Sequence, residues 1–211
     1  MNGSLGLSGK LGMRVVRTPG AGLAWQLKNR MSLNFWRGWM AFHIAPLIAR
    51  LFGFMVLVSR LKLVVRKASG EVIDYGYVSY RQVTDAGVAF IVDAFQNSVE
   101  LENMKYHGIG TGAAAEGAGN TALTTESTTA LNPDSTRATG TTVEGASANI
   151  YRTVGTITPD AAVACTEHGV FSQAATGGGV MIDRHTFSVV NLNGSGDSLV
   201  ATYELTFTSG G

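Results

Sequence analysis

The chain has 211 residues, of which 45% are hydrophobic and only 15% are charged, and it contains a single cysteine. Globular proteins carry about 25% charged residues, so this chain is unusually poor in charge. The lone Cys165 excludes an intramolecular disulfide and any site that needs two thiolates, such as a cysteine-rich zinc site or an iron–sulfur cluster.

The formal net charge of +1 conceals an uneven distribution along the chain. Residues 1–67 contain 11 Lys and Arg residues and no Asp or Glu, which gives +11, whereas residues 68–211 have a net charge of −10. Such a division indicates two segments of different origin or different surroundings. Regular strand patterns begin just after Met55, so we divide the chain into an N-terminal extension, residues 1–54, and a domain, residues 55–211.

The extension contains a candidate membrane anchor. Residues 39–58 form an apolar stretch of 20 residues, about the length that spans a bilayer, and basic residues precede it. Arg50 lies within this stretch, and His43 and Pro46 interrupt it. A central Arg costs about 2.5–3.5 kcal/mol on insertion, which weighs against an anchor.

Two other interpretations of the extension remain open. A basic arm could bind nucleic acid, but its Lys and Arg residues are scattered among Gly, Leu and Trp instead of clustered, so nucleic acid is not a favoured partner. Alternatively, the acid-free segment without clean periodicity is what an over-extended reading frame would give, with Met55 as the native start.

The domain begins with a predicted β-hairpin and a helix. Residues 56–66 and 72–81 are rich in β-branched and aromatic residues, and Ala68-Ser69-Gly70 predicts the turn between them. Thr84 or Asp85 is the expected N-cap of a helix whose apolar stripe should cover the sheet. The stripe consists of Val88, Ile91, Val92 and Phe95.

The middle of the domain is dominated by a long segment of low complexity. Residues 101–110 predict a strand, and residues 111–148 are rich in Thr, Ala, Gly and Ser with few large apolar residues. Inside a compact domain such a segment is a functional loop, a lid or a partner-binding arm. We expect a mobile surface loop in an isolated chain and a loop ordered by neighbours in an assembly.

The last third of the chain predicts only strands. Residues 149–158, 163–172, 180–190 and 199–207 have β character, and turns rich in Gly, Asn or Asp separate them. About seven strands at this spacing predict a mainly β fold, an antiparallel β-sandwich of jelly-roll type with one amphipathic helix and the long Thr/Gly/Ala-rich loop.

The histidines are the first candidates for chemistry. The chain has His43, His107, His168 and His185, and only His168 and His185 with Glu167 form a cluster worth testing as a metal or acid–base site. Adjacent strand residues point to opposite faces, so Glu167 and His168 should diverge. Neither metal-binding spacings nor paired carboxylates accompany them. We expect structural or interface histidines, with no catalytic residue, metal or cofactor.

Other candidates also favour structural roles. Cys165 follows two apolar residues and should be a small buried hydrophobe. Residues 108–112 (GIGTG) lack the lysine of a phosphate-binding loop and should be a strand exit. Asp183-Arg184 predicts an ion pair at a sheet edge or subunit interface.

Three tyrosines of the hairpin could form a carbohydrate-binding surface. By strict alternation, Tyr75 and Tyr77 share a face and Tyr80 does not, so packing in the core or at an interface is favoured. A carbohydrate-active or lysis-associated enzyme would also need two carboxylates facing one cleft, whereas the acidic residues are scattered.

The domain resembles the small β-rich structural proteins of tailed bacteriophages. The segments that carry the resemblance are residues 106–112 (YHGIGTG), 144–152 (EGASANIYR), 166–171 (TEHGVF), 174–179 (AATGGG), 181–184 (MIDR), 187–191 (FSVVN), 196–199 (GDSL) and 203–207 (YELTF). The resemblance covers about residues 56–211 and consists of strand and turn patterns.

This resemblance implies a non-enzymatic component of the virion. A capsid decoration, or cement, protein bound to the major capsid protein is the favoured role, and a tail or tail-fibre component that contacts a host receptor is the alternative. Few charges and many small residues suit a homo-oligomer, with a trimer expected, that packs in many copies. A membrane-anchored β-domain, anchored by residues 39–58, is a second alternative.

Overall fold

The computed structural model describes residues 16, 17 and 19–210. Ten strands, three α-helices and one short 3₁₀ helix, Leu101–Asn103, form this part of the chain. In chain order the elements are β1 (Val16–Arg17), α1 (Pro19–Arg30), α2 (Leu33–Phe52), β2 (Val56–Arg66), β3 (Glu71–Gln82), α3 (Asp85–Phe95), β4 (Tyr106–Gly110), β5 (Ala138–Thr139), β6 (Thr141–Glu144), β7 (Ile150–Ile157), β8 (Val163–Phe171), β9 (Met181–Leu192) and β10 (Ser198–Thr208).

The strands form two sheets that pack face to face. The six-stranded sheet has the order β1-β3-β2-β10-β7-β6, and the four-stranded sheet has the order β5-β4-β8-β9. Neighbouring strands are antiparallel except for β1, which pairs with β3 in parallel. The prediction of a mainly β, antiparallel sandwich is confirmed, and strands β2, β3, β7, β8, β9 and β10 lie where alternation placed them.

Two apolar clusters fill the space between the sheets. Along β10, Leu199 and Ala201 belong to the first cluster, and Tyr203 and Leu205 belong to the second. This alternation of buried residues is the period-2 pattern of a strand that faces a core. The intervening Glu204 faces outward, where Arg60 and Arg152 pair with its carboxylate.

Two irregularities in the β2–β3 hairpin change the predicted faces of the tyrosines. The register shifts twice, and Gly76 adopts a φ of 67°, which favours glycine. As a result Tyr75 is in the first apolar cluster, whereas the Tyr77 and Tyr80 rings lie 6.1 Å apart. The prediction that Tyr75 shares a face with Tyr77 is therefore wrong, because each bulge reverses the alternation.

Helix α3 begins as predicted but buries a different face. The Thr84 hydroxyl accepts a 2.9 Å hydrogen bond from the Gly87 N–H, which makes Thr84 the N-cap. The buried residues are Gly87, Phe90 and Ile91. The rest of the predicted stripe, Val88, Val92 and Phe95, is exposed.

The N-terminal extension contains two helices that the sequence did not predict. The first, α1, joins the edges of the two sheets: the Asn29 amide donates a 2.7 Å hydrogen bond to the Val78 carbonyl of β3 and accepts a 2.9 Å bond from the Ser188 N–H of β9. Nearby, the Trp25 indole donates to the Val189 carbonyl at 2.7 Å.

The second helix, α2, packs on β3 and β2 of the six-stranded sheet. The ring of Phe35 lies edge-on to Tyr80, with centroids 5.6 Å apart. At Gly38 the helix approaches so closely that a Cβ would lie 2.0 Å from the Tyr80 carbonyl oxygen. Within the described part of the chain, no helix combines the length and the hydropathy required to cross a bilayer.

The low-complexity segment, residues 111–148, differs from a bare loop. It contains β5 and β6, and the side chains of Leu123, Leu131 and Arg137 are buried. Since Leu131 joins the first apolar cluster, the segment contributes to the core that the sequence assigned to other elements.

Candidate functional site

A belt of polar side chains crosses the interior of the sandwich between the two apolar clusters. On β2, Ser59 lies between Leu57, which packs on the second cluster, and Leu61 of the first. Both sheets contribute to this polar belt, whose members are Ser59, Thr153 and Tyr203 from the six-stranded sheet and His107, His168, Asp183 and His185 from the four-stranded sheet. All seven are at most 1% exposed.

One half of the belt is a pair of hydrogen-bonded histidines. His107 Nδ1 and His168 Nε2 are 2.9 Å apart, and His107 Nε2 lies 3.2 Å from the Thr153 hydroxyl. Burial lowers the pKa of His107 to about 3 and lowers that of His168 well below its usual value, where the neighbouring histidines add to the effect. Both rings are therefore neutral at physiological pH, with one ring donating to the other.

The backbone provides the space for the His107 ring. A Cβ at Gly155 of β7 would lie 2.5 Å from His107 Cδ2, and one at Gly140 would lie 2.7 Å from His107 Nε2. Glycine at these two positions leaves room for the imidazole between the two sheets.

The other half of the belt centres on Asp183. Its Oδ2 accepts a hydrogen bond from the Ser59 hydroxyl, lies 3.3 Å from His185 Nε2 and accepts a 3.4 Å bond from the Tyr203 hydroxyl. Burial raises the pKa of Tyr203 well above its usual value, and the Asp183 carboxylate raises it further. Tyr203 thus remains a protonated donor to the carboxylate.

Ser59, His185 and Asp183 do not form a catalytic triad. In a triad the serine and the carboxylate bond to opposite ring nitrogens, so that the histidine can pass a proton. Here Ser59 Oγ, at 3.4 Å, and Asp183 both face His185 Nε2, and His185 Nδ1 has no hydrogen-bond partner among the described residues. With all three side chains buried, the arrangement fixes the contact between the sheets.

The outer face of the four-stranded sheet carries the second polar cluster. Glu167 pairs with Arg184 at 2.7 Å, and both side chains are buried. Glu167 also accepts hydrogen bonds from the backbone N–H groups of Gly112, Thr124 and Thr125 at 2.8–3.0 Å. The carboxylate therefore anchors the low-complexity segment to the sheet.

This geometry decides several of the expectations from the sequence. Glu167 and His168 point to opposite sides of β8, as predicted. The predicted edge or interface ion pair of Asp183 and Arg184 is wrong, because Arg184 pairs with Glu167 and Asp183 faces the polar belt. At the end of residues 108–112, the backbone of Gly112 lies against the Glu167 carboxylate, and a Cβ at Gly112 would lie 2.5 Å from Glu167 Oε1.

Two more ion pairs hold the low-complexity segment. Arg137 bonds both oxygens of Glu126 at 2.6 and 3.0 Å, and its guanidinium carbon lies 3.5 Å from the centroid of the Phe171 ring. Arg81 donates to Glu116 at 2.5 Å. Burial alone would raise the pKa of Glu116, but Arg81 and hydrogen bonds from Thr186 outweigh it and lower the pKa. Glu116, Glu126 and Arg137 are among the few charged residues of this segment, and their presence in an otherwise uncharged stretch was the sequence feature that indicated fixed contacts.

A cleft of 260 Å³ opens where this segment meets the helices. Its lining includes Arg37 and Gly38 of α2, Thr84 at the start of α3, and Glu116. Of the four histidines, His43 lies exposed on α2, away from the polar belt.

Cys165 is buried, as predicted. Burial raises the pKa of its thiol to about 12. No group of three or more His, Cys, Asp or Glu residues within the described ranges is arranged to hold a metal ion.

Comparison of the chain with models of known protein families, with curated proteins and with solved structures finds no match.

Proposed function

We propose that this chain is a non-enzymatic structural protein of a tailed-bacteriophage virion, and specifically a capsid decoration protein that binds the major capsid protein and stabilises the head shell. The observation that carries the proposal is a β-sandwich flanked by helices with exposed apolar residues on their outer faces. On α2 alone the exposed residues include Leu33, Met40, Ile44, Leu47 and Leu51.

An apolar outer face of this size indicates assembly. A helix that is apolar on all sides is normally covered, and large exposed apolar patches mark sites of association. Because α2 packs one side on β3, its other side is left uncovered by residues 16, 17 and 19–210 and can contact a further subunit.

The polar groups support the same role from the inside. The polar belt connects the two sheets, and the ion pairs of Glu167, Glu126 and Glu116 connect the low-complexity segment to them. A protein that must resist pressure from a packed capsid benefits from such internal ties, because they keep its surface in one shape. The proposal includes a homo-oligomer, a trimer in the simplest case, and requires neither a cofactor nor a small-molecule substrate.

Quantitative mass spectrometry of purified virions tests the proposal. We expect peptides from this chain at a copy number comparable to that of the major capsid protein. A handful of copies per particle would replace the decoration role with a tail or tail-fibre role. Absence from the particle would overturn the virion assignment altogether.

A further inference from the structure

The outer side of α2 is a stripe with the spacing of a helix-packing surface. Leu33, Met40, Ile44, Leu47 and Leu51 recur every three to seven residues on the side opposite the buried residues of the helix, and Leu51 is 78% exposed. Apolar residues at such intervals form a seam that another helix can fill. We call this stripe, with the exposed Arg37 and Arg50 beside it, the α2 face.

A second exposed stripe lies on α3. Val88, Val92 and Phe95 share one side of the helix, Leu101 follows it, and Phe95 is 80% exposed. Exposed acidic residues accompany this α3 face, namely Asp85, Asp93, Glu100 and Glu102.

The two faces have opposite charge. The α2 face carries Arg37 and Arg50, which gives +2, and the two helices together, residues 19–52, have a charge of +4 with no acidic residue. Residues 85–103 contain four acidic residues and no Lys or Arg, which gives −4. Complementary charge around apolar patches steers two surfaces together and selects the partner, while the apolar contact supplies the free energy of association.

We propose that the α2 face of one copy of this chain docks on the α3 face of a second copy. Arg37, beside the α2 face, and Thr84, the N-cap of α3, line the same cleft, so the two helices approach each other there. In a two-fold related pair, docking α2 of one copy on α3 of the other also docks α3 of the first on α2 of the second, which is a self-complementary contact. This inference rests on the assembly part of the proposed function and identifies the surfaces that assembly uses.

The charges distinguish this contact from two others. Packing α2 against α2 would bring the basic residues of both copies to one interface and leave the acidic α3 face without a partner. An anionic lipid surface would attract the basic residues of α2 but would leave the acidic α3 face without a partner. A second copy is the occupant that satisfies both faces.

A charge-swap experiment on the full chain tests the contact. The readout is the molar mass by sedimentation equilibrium at low and high salt. We expect R37E/R50E and D93K/E102K each to weaken association about tenfold or more, and the combined variant R37E/R50E/D93K/E102K to restore it, because the swapped charges attract again. The matched control is R37E/R50E/D134K/D160K, which has the same net charge as the combined variant but carries its new lysines at exposed positions outside α3.

Each result decides the matter. Restoration by the combined variant and not by the control supports the contact, and circular dichroism of each variant verifies that it has folded. A wild-type chain that stays monomeric, or a D93K/E102K variant that associates like the wild type, overturns it. Binding of the wild-type chain to anionic phosphatidylserine vesicles that is lost in R37E/R50E and unchanged in D93K/E102K would assign the α2 face to lipid instead. A failure here with abundant chain in virions would leave the decoration role intact.

Discussion

We expect the buried histidine pair to lower the stability of the folded chain in mild acid, and replacing His107 should remove much of that loss. His107 has a pKa of about 3 in the folded chain, against 6.5 for an unperturbed histidine. Because His107 resists protonation in the folded state, its contribution to the free energy of unfolding is fully present above the unfolded pKa of 6.5. This contribution is lost as the pH falls below 6.5, and the loss continues until the folded pKa is reached.

The magnitude follows from the two pKa values of His107. At pH 5 the unfolded state gains about 2 kcal/mol by protonating this one histidine, and at pH 7 it gains only about 0.2 kcal/mol. His168 acts in the same direction. A loss of this size is a large part of the roughly 5–15 kcal/mol that stabilises a typical domain.

The assay is urea unfolding of the wild type and His107→Asn at several pH values from 7 to 5, a range above most carboxylate titration. We expect the variant to be less stable by about 1–3 kcal/mol at pH 7, because its hydrogen bonds to His168 and Thr153 are altered. Its further loss on acidification should be smaller than that of the wild type by about 2 kcal/mol. His43→Asn, at an exposed position, is the control and should follow the wild type. Equal losses in wild type and His107→Asn would refute the reasoning.

Three further predictions concern packing. Gly38→Ala should destabilise the chain by about 1–3 kcal/mol in urea unfolding, because the new Cβ meets the Tyr80 carbonyl. The control Gly119→Ala, at a position with open space around it, should change the free energy of unfolding little. Equal effects of the two substitutions would contradict the close packing of α2. Arg137→Lys should lose the bidentate bond to its glutamate and speed limited proteolysis within residues 111–148, and an unchanged digestion rate would count against this anchor. Cys165 should resist alkylation in the folded chain and react on unfolding; rapid labelling of the native thiol would show that it is accessible.

Local patterns predicted the six long strands β2, β3, β7, β8, β9 and β10 well because each has one face in the core. The range Val56–Arg66 coincides with β2, and the alternation along β10 matches its burial. The predicted turn at Ala68-Ser69-Gly70 is also present, and Gly70 adopts a positive φ of 84° there. These features depend on neighbours in the sequence, so the sequence alone reveals them.

The burial of α3 could not be read from its apolar stripe. A Cβ at Gly87 would lie 2.6 Å from the Ile182 carbonyl oxygen, so the missing side chain lets the helix approach β9 on that side. The contact therefore centres on Gly87 and the neighbouring Phe90 and Ile91, and the more regular stripe faces outward. A glycine has no apolar side chain, so a packing face that centres on a glycine cannot be recognised from the pattern of apolar residues.

The polar belt escaped prediction for a different reason. His107 and His168 are 61 residues apart and meet only because β4 and β8 pair in one register. A bulge between Cys165 and Glu167 then fixes which side chains of β8 face inward. Cross-strand register is a property of the assembled sheet, so the spacing of these residues in the sequence does not predict the polar belt.

The position of α1 has a consequence for the solubility of the chain. Strand β9 lies at the edge of its sheet, and the side chains of Asn29 and Trp25 occupy the backbone groups of Ser188 and Val189 there. An open strand edge recruits strands from other molecules and promotes aggregation. A version of the chain that began at Met55 would lack this cover, so we expect it to aggregate more readily through the exposed edge of β9.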